Sequence, residues 1–194
     1  MTAQAVTKRE SEQSSDFEQK VQKLRALYAD ASDISKAALE NVVRALQSAG
    51  PATESAGKAE SAGRIGARIG KVSELTVILP LRPGGAKRMR AFFETLHGSI
   101  GNQSVDLVGT VHDMRWVFLD NDTKLLFAST YDRDWDPYID DFATKIPDIL
   151  DLQFGEVDGW PGVRNPAVKD FIVKHQIQAH FWYVASPNLT VVET

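Results

Sequence analysis

The sequence predicts an α+β fold: a ferredoxin-like, split βαβ sheet preceded by an N-terminal helix and a flexible linker. Three observations carry that prediction. Of 17 aromatic residues, only Phe17 and Tyr28 precede residue 74. Beyond that point, β-prone runs and helical stripes alternate in the order β-α-β-β-α-(loop, α)-β. Before it lie one long helical stripe and a Gly/Ala/Ser-rich stretch.

Residues 1–15 are polar and charged with few apolar anchors, which predicts a disordered tail. A helical seam follows over 16–49. Its apolar or small positions are Phe17, Val21, Leu24, Tyr28, Ala31, Ala38, Val42, Ala45 and Ala49, with Ser35 the polar member. Leu27, Ile34, Leu39, Val43 and Leu46 widen the stripe. Asp16 is a candidate N-cap, Gly50-Pro51 ends the helix, and Asp30-Ala-Ser-Asp33 is a point where it can split in two. Two uses stand open: packing on its own domain, or self-association as a coiled coil.

Residues 50–73 repeat Ser-Ala-Gly and Arg-Ile-Gly and read as a linker. Gly70-Lys71 is not a phosphate loop, because Ile65 and Val72 stand where Gly and Ser/Thr are required. The basic residues from Lys58 to Lys71 read as solvated linker, with an acidic partner or a membrane surface as the alternative.

The α+β domain spans 74–194. Glu74–Leu81 is a strand, Arg82-Pro83-Gly84-Gly85 a turn, and about Ala86–Ile100 a helix with Met89, Phe92, Phe93 and Leu96 on one face. Asp106–Leu119 and Lys124–Tyr131 form a hairpin about the turn Asp120–Thr123. Asp136 is the expected N-cap of a helix opened by Pro137, with Tyr138, Phe142 and Ile146 as its stripe. A loop with Gly-Trp-Pro-Gly at 159–162 leads to a short helix capped by Asn165, and Gln178–Ser186 is the last strand. Helices on one sheet face leave the other needing cover, which a second subunit can supply.

Composition bounds the function. There is no cysteine, which excludes disulfides, thiolate nucleophiles, iron–sulfur clusters and Cys-type zinc sites. No apolar run is long enough for a transmembrane helix, and the polar N-terminus lacks the core of a secretory signal. The expected location is cytoplasmic. The net charge of −4 argues against nucleic acid as a partner. That charge is uneven: residues 1–73 carry 11 Lys/Arg against 9 Asp/Glu, and residues 74–194 carry 11 against 17.

The domain resembles the dimeric α/β-barrel superfamily, and most closely an uncharacterised bacterial group within it. The motifs are Arg82-Pro83-Gly84, Thr110-Val111-His112 with Arg115-Trp116, Leu125-Leu126-Phe127 with Tyr131-Asp132, Tyr138–Phe142, and Trp182-Tyr183 with Pro187–Thr190. The chain departs from the pattern at Asp113-Met114, where apolar residues are usual, and at Arg133, where glycine is. The superfamily includes chlorite dismutases, dye-decolorising peroxidases and small monooxygenases, so the resemblance implies haem or small-molecule redox chemistry.

Haem requires an apolar slot, an axial imidazole and a polar distal group. His112, Arg115 and Trp116 are the matching types, with His180 and Trp182 as further lining. Alternation sets His112 with Trp116 and puts Arg115 on the other face, so joint use of His112 and Arg115 needs a bulge or a strand end. A structural histidine is the plain alternative. His112 and His180 fall on opposite sheet edges, too far apart for one metal within a subunit, and no metal site is expected. His97 and His175 sit near helix C-termini, where a dipole role suffices. Asp132, Asp134 and Asp136 lack the Gly and Glu of a calcium loop and read as helix capping. Gly84-Gly85 before Lys87, Arg88 and Arg90 is an anion-site candidate against a plain turn. Ser129 and Thr130 have no base arranged beside them in sequence.

The expectation is a non-catalytic assembly or scaffold subunit. It would form a homo-oligomer through the N-terminal helix and dock its α+β domain on a larger complex, a redox complex being one candidate. The alternative is a haem- or small-molecule-binding oxidoreductase using His112, with haem the one cofactor named.

Overall fold

The computed structural model describes residues 3–31, 33–48, 60–96 and 106–193. They form a mixed α+β structure with six helices and one five-stranded, open, antiparallel sheet. The chain divides into two compact units, Met1–Ser55 and Ala56–Thr194. Ala49, residues 50–59, His97 and the expected helix end at Ile100 lie outside the described residues, as do the side chains of Ile34 and Leu46.

The first unit holds α1 (Ala3–Leu27) and α2 (Asp33–Ser48). The helix starts at Ala3, so residues 3–15 of the segment expected as a disordered tail are helical. The segment is polar, but Ala, Gln and Glu, all good helix formers, recur in it. α1 ends at Leu27 and α2 opens at Asp33, so the helix splits close to where the sequence allowed it. Arg25 forks onto Glu40 with two bonds of 2.7 Å, tying the helices together. Val21 and Val43 are buried, whereas Leu24, Leu27, Tyr28 and Val42 stay exposed.

The second unit runs β1 (Glu60–Ser61), β2 (Ala67–Ile69), β3 (Val72–Pro80), α3 (Gly85–Leu96), β4 (Val111–Leu119) and β5 (Lys124–Asp132). Then come α4 (Trp135–Lys145), α5 (Pro147–Phe154), α6 (Val168–His175) and a 3-10 turn at Val191–Glu193. The strand order is β1-β2-β3-β5-β4. Leu75, Val77 and Leu79 of β3 and Leu125, Phe127 and Tyr131 of β5 share one sheet face. That face packs Met89, Tyr138, Phe142, Phe154 and Ile172 from the helices into one core. The other face exposes Asp113, Arg115 and Val117 of β4.

Four sequence expectations need correction. First, the linker reading fails from Glu60 onward. Ala62, Ile65, Ala67 and Ile69 are buried, and β2 pairs with β3 through Arg68↔Ser73 and Ile69↔Val72. Gly66 makes this possible: it has φ +79, and a Cβ there would lie 2.0 Å from the Glu74 carbonyl oxygen.

Second, Gln178–Ser186 forms no strand. The segment reaches β3 only at the bridge Gln176↔Val77 and the bond from Ile177 N–H to Thr76 O, 2.8 Å. Beyond that point β2 already holds the edge of β3. Strong β-propensity cannot win a ladder whose partner is taken.

Third, α4 begins at Trp135 with Asp134 in the N-cap position, so Asp136 is not the cap. Fourth, one helix was expected between β5 and the 159–162 loop, but Ile146 leaves helical geometry and Pro147 opens α5 as its first residue.

The β4–β5 hairpin matches its prediction. Asp120, Asn121 and Asp122 all adopt positive φ, 50°, 52° and 69°, a region that Asn and Asp tolerate. Arg90 of α3 forks onto Asp122 at 2.6 and 2.7 Å and lies over the Phe118 ring. β4 itself starts at Val111, later than the expected Asp106.

Candidate functional site

The pairing of β4 with β5 carries the local feature that matters. Val111 faces Tyr131 and Asp113 faces Thr130, so His112 is an extra residue, a β-bulge. The bulge turns its ring to Asp132. His112 Nε2 lies 2.8 Å from Asp132 Oδ1. A carboxylate can only accept, so Nε2 carries the hydrogen of this bond. Asp132 is 5% exposed, and its Oδ2 accepts the Val191 backbone N–H at 3.0 Å. One buried carboxylate therefore holds both the imidazole and the C-terminal turn.

That turn has further anchors. Lys71 N–H donates to Pro187 O at 2.7 Å. Glu193 accepts from Thr190 N–H at 2.8 Å and from Lys71 Nζ at 2.9 Å. The Thr190 amide, then Lys71 and the Thr190 hydroxyl, hold the Glu193 carboxyl down at about 2. Arg133 stands at φ +70, the backbone region that favours glycine.

The other expected site residues do not gather around His112. Asp132 follows Tyr131 on β5 and so points to the sheet face away from the helices. Trp116 points the other way, with its ring 5.4 Å from Phe93 and 5.1 Å from Phe127. Arg115 is exposed and pairs with Asp113 at 3.1 Å. His180 and Trp182 belong to the irregular stretch beyond β3, where His180 is exposed and Trp182 half-buried. His175 Nδ1 sits 2.8 Å from Phe171 O.

The three aspartates share no partner among those named here. Asp132 takes His112 and Val191, Asp134 takes Arg68 at 2.6 Å, and Asp136 takes Lys169 at 3.1 Å. Among the described residues no cluster of three metal-ligating side chains forms. At the Gly84-Gly85 turn, Arg88 is paired to Glu156 at 2.5 Å and Arg90 to Asp122, so the chain supplies its own anions there.

A second feature lies inside the core. An apolar cavity of about 30 Å³ sits between sheet and helices, lined by Leu75, Met114, Trp116, Phe127, Phe154 and Trp160 among others. Trp116 Nε1 is buried without a partner. The cavity has room for about one or two water-sized groups. Tyr138 projects beside it and holds Ser129 Oγ at 2.6 Å, and burial pushes its phenol well above the usual range.

These residues do not fit haem. The cavity is far too small for a porphyrin, and His112 does not line it. The Nε2 that would reach an iron is already bonded to Asp132.

Sequence reasoning missed Asp132 as the partner of His112 and treated it as a cap. The hairpin offered the signal. A turn at Asp120–Thr123 sets Leu119 against Lys124, and counting back brings His112 opposite Tyr131, one residue short of Asp132; the bulge makes up the difference.

No protein-family model, no curated protein and no solved structure matches this chain.

Proposed function

We propose that this chain is a non-catalytic assembly subunit that forms a homo-oligomer through its helical hairpin and presents its α+β domain to a larger complex. The observation that carries this reading is the apolar surface left on the hairpin. Leu24 is 41% exposed, Leu27 65% and Val42 55%, although Leu24 and Val42 belong to the seam read from sequence and Leu27 to the residues that widen it. A two-helix hairpin with one buried seam gains stability by covering such a surface with further helices.

A ferredoxin-like arrangement is the fold reading that suits the second unit. Its support is the placement of residues 176–177 against β3, on the side opposite β5. With the helices on one sheet face, the other is a natural docking face for a partner domain.

A second reading rests on His112 and Asp132. An imidazole oriented by a buried carboxylate is suited to proton transfer with a small, non-haem ligand on the open sheet face. The exposed apolar surface of the hairpin keeps assembly the preferred function.

The test is the solution mass of the full chain beside that of Ala56–Thr194 alone. A higher-order full chain and a lower-order truncation support assembly through the hairpin. Equal stoichiometry removes the hairpin's role.

A further inference from the structure

Two segments of the second unit have a claim on the same stretch of sheet edge. The first is β2, which pairs Arg68 with Ser73 and Ile69 with Val72. The second is the run after α6, already bridged to the same edge by Gln176↔Val77. Continuing that antiparallel register would set Ala179 beside Glu74, His180 beside Ser73 and Phe181 beside Val72. The two registers collide at Ser73 and Val72.

Local chemistry marks the collision point. The Glu74 side chain, 4% exposed, accepts the Ala67 N–H at 3.2 Å and also the Ala179 N–H. One carboxylate thus holds both competitors by their backbones. Gly66 lies against the Glu74 carbonyl oxygen on the same edge.

The displaced run keeps the composition of a strand. His-Phe-Trp-Tyr-Val at 180–184 is strongly β-prone, yet Phe181 is 88% exposed and Tyr183 76%. By contrast β2 is only three residues long, belongs to a Gly/Ala-rich stretch and shares two paired positions with β3. Neither competitor has an overwhelming advantage.

We infer that β2 and the 178–184 run exchange for the edge of β3, making this edge a two-state element. With β2 docked, Phe181 and Tyr183 face solvent. With the run docked, Phe181 lies on the open sheet face beside Val72, and the β1–β2 hairpin is released. Whatever binds the exposed aromatics favours the first state. Whatever captures the hairpin favours the second.

The chain has no cysteine, so engineered pairs report cleanly. The experiment uses the full chain carrying Ser73→Cys and His180→Cys, with Ser73→Cys/Tyr183→Cys as the out-of-register control. Direct cross-strand neighbours lie within disulfide reach, and the control positions do not. Under mild oxidation the in-register pair should cross-link above the control. Gly66→Ala, which drives β2 off Glu74, should speed the cross-link by roughly tenfold. Arg68→Ala, which removes ion pairs to Glu60 and Asp134, is the gentler second variant and should speed it less. Cross-linking no faster than the control in all three backgrounds overturns the exchange. So does a cross-link whose rate ignores both β2 variants, because the run would then reach Ser73 without displacing β2.

Discussion

His112 and Asp132 form a closed pair at a β-bulge, with Nε2 and Oδ1 2.8 Å apart and the same carboxylate bound to the Val191 amide. The bulge decides the chemistry. It takes the histidine away from the aromatic core face and gives it to a carboxylate that also fastens the C-terminal turn.

Replacing His112 by Ala leaves Asp132 Oδ1 buried without its partner. The expected loss is about 1–3 kcal/mol of stability, the cost of an orphaned buried acceptor. Asp132→Ala should cost at least as much and should also free the C-terminal turn. Denaturant melts give the energies. Limited proteolysis near Val191 separates the two variants, because only Asp132→Ala should speed cleavage there.

Two glutamates predict opposite pH responses. Burial raises the Glu74 carboxyl above its ordinary 4.5, partly offset by bonds from Thr76, Ala67 and Ala179. Between 4.5 and the raised value the folded state holds more protons than the unfolded one, so wild type gains stability as pH falls through that window. Relative to Glu74→Gln, wild type should therefore improve from neutral pH toward pH 4.5. Glu193 is held down at about 2, so its contribution is present above 4.5 and is lost as pH falls from 4.5 toward 2. Thermal melts of wild type, Glu74→Gln and Glu193→Gln across these windows check both signs.

Haem added to the full chain should give no histidine-ligated Soret band. The cavity is about 30 Å³ and His112 is turned away from it. The check is a visible titration repeated with His112→Ala. A band in wild type that the substitution removes would contradict the placement of His112.

Much of the second unit was legible because its residues obey simple periods. β3, β4, β5, α3 and α4 each announce themselves by alternation or by a helical stripe, and the Asp-Asn-Asp turn fixes the hairpin. What stayed hidden depended on competition and context. Ile65 and Ile69 are too few among glycines and alanines to announce a packed segment, yet they are 4% and 9% exposed. Gln178–Ser186 has the propensity of a strand, but propensity carries no information about which segment holds the edge of β3. His112 was found from its residue type and aromatic neighbours. Its partner was missed because the bulge breaks the alternation that assigned its face.

The account's central claim is assembly through the helical hairpin. Its most direct test is the solution mass, by light scattering, of the full chain and of Leu24→Gln/Leu27→Gln/Val42→Gln. The wild type should be a multiple of 21.4 kDa, and the triple variant should fall to 21.4 kDa with its secondary structure retained. A wild type already at 21.4 kDa, or a variant whose mass does not change, would contradict it.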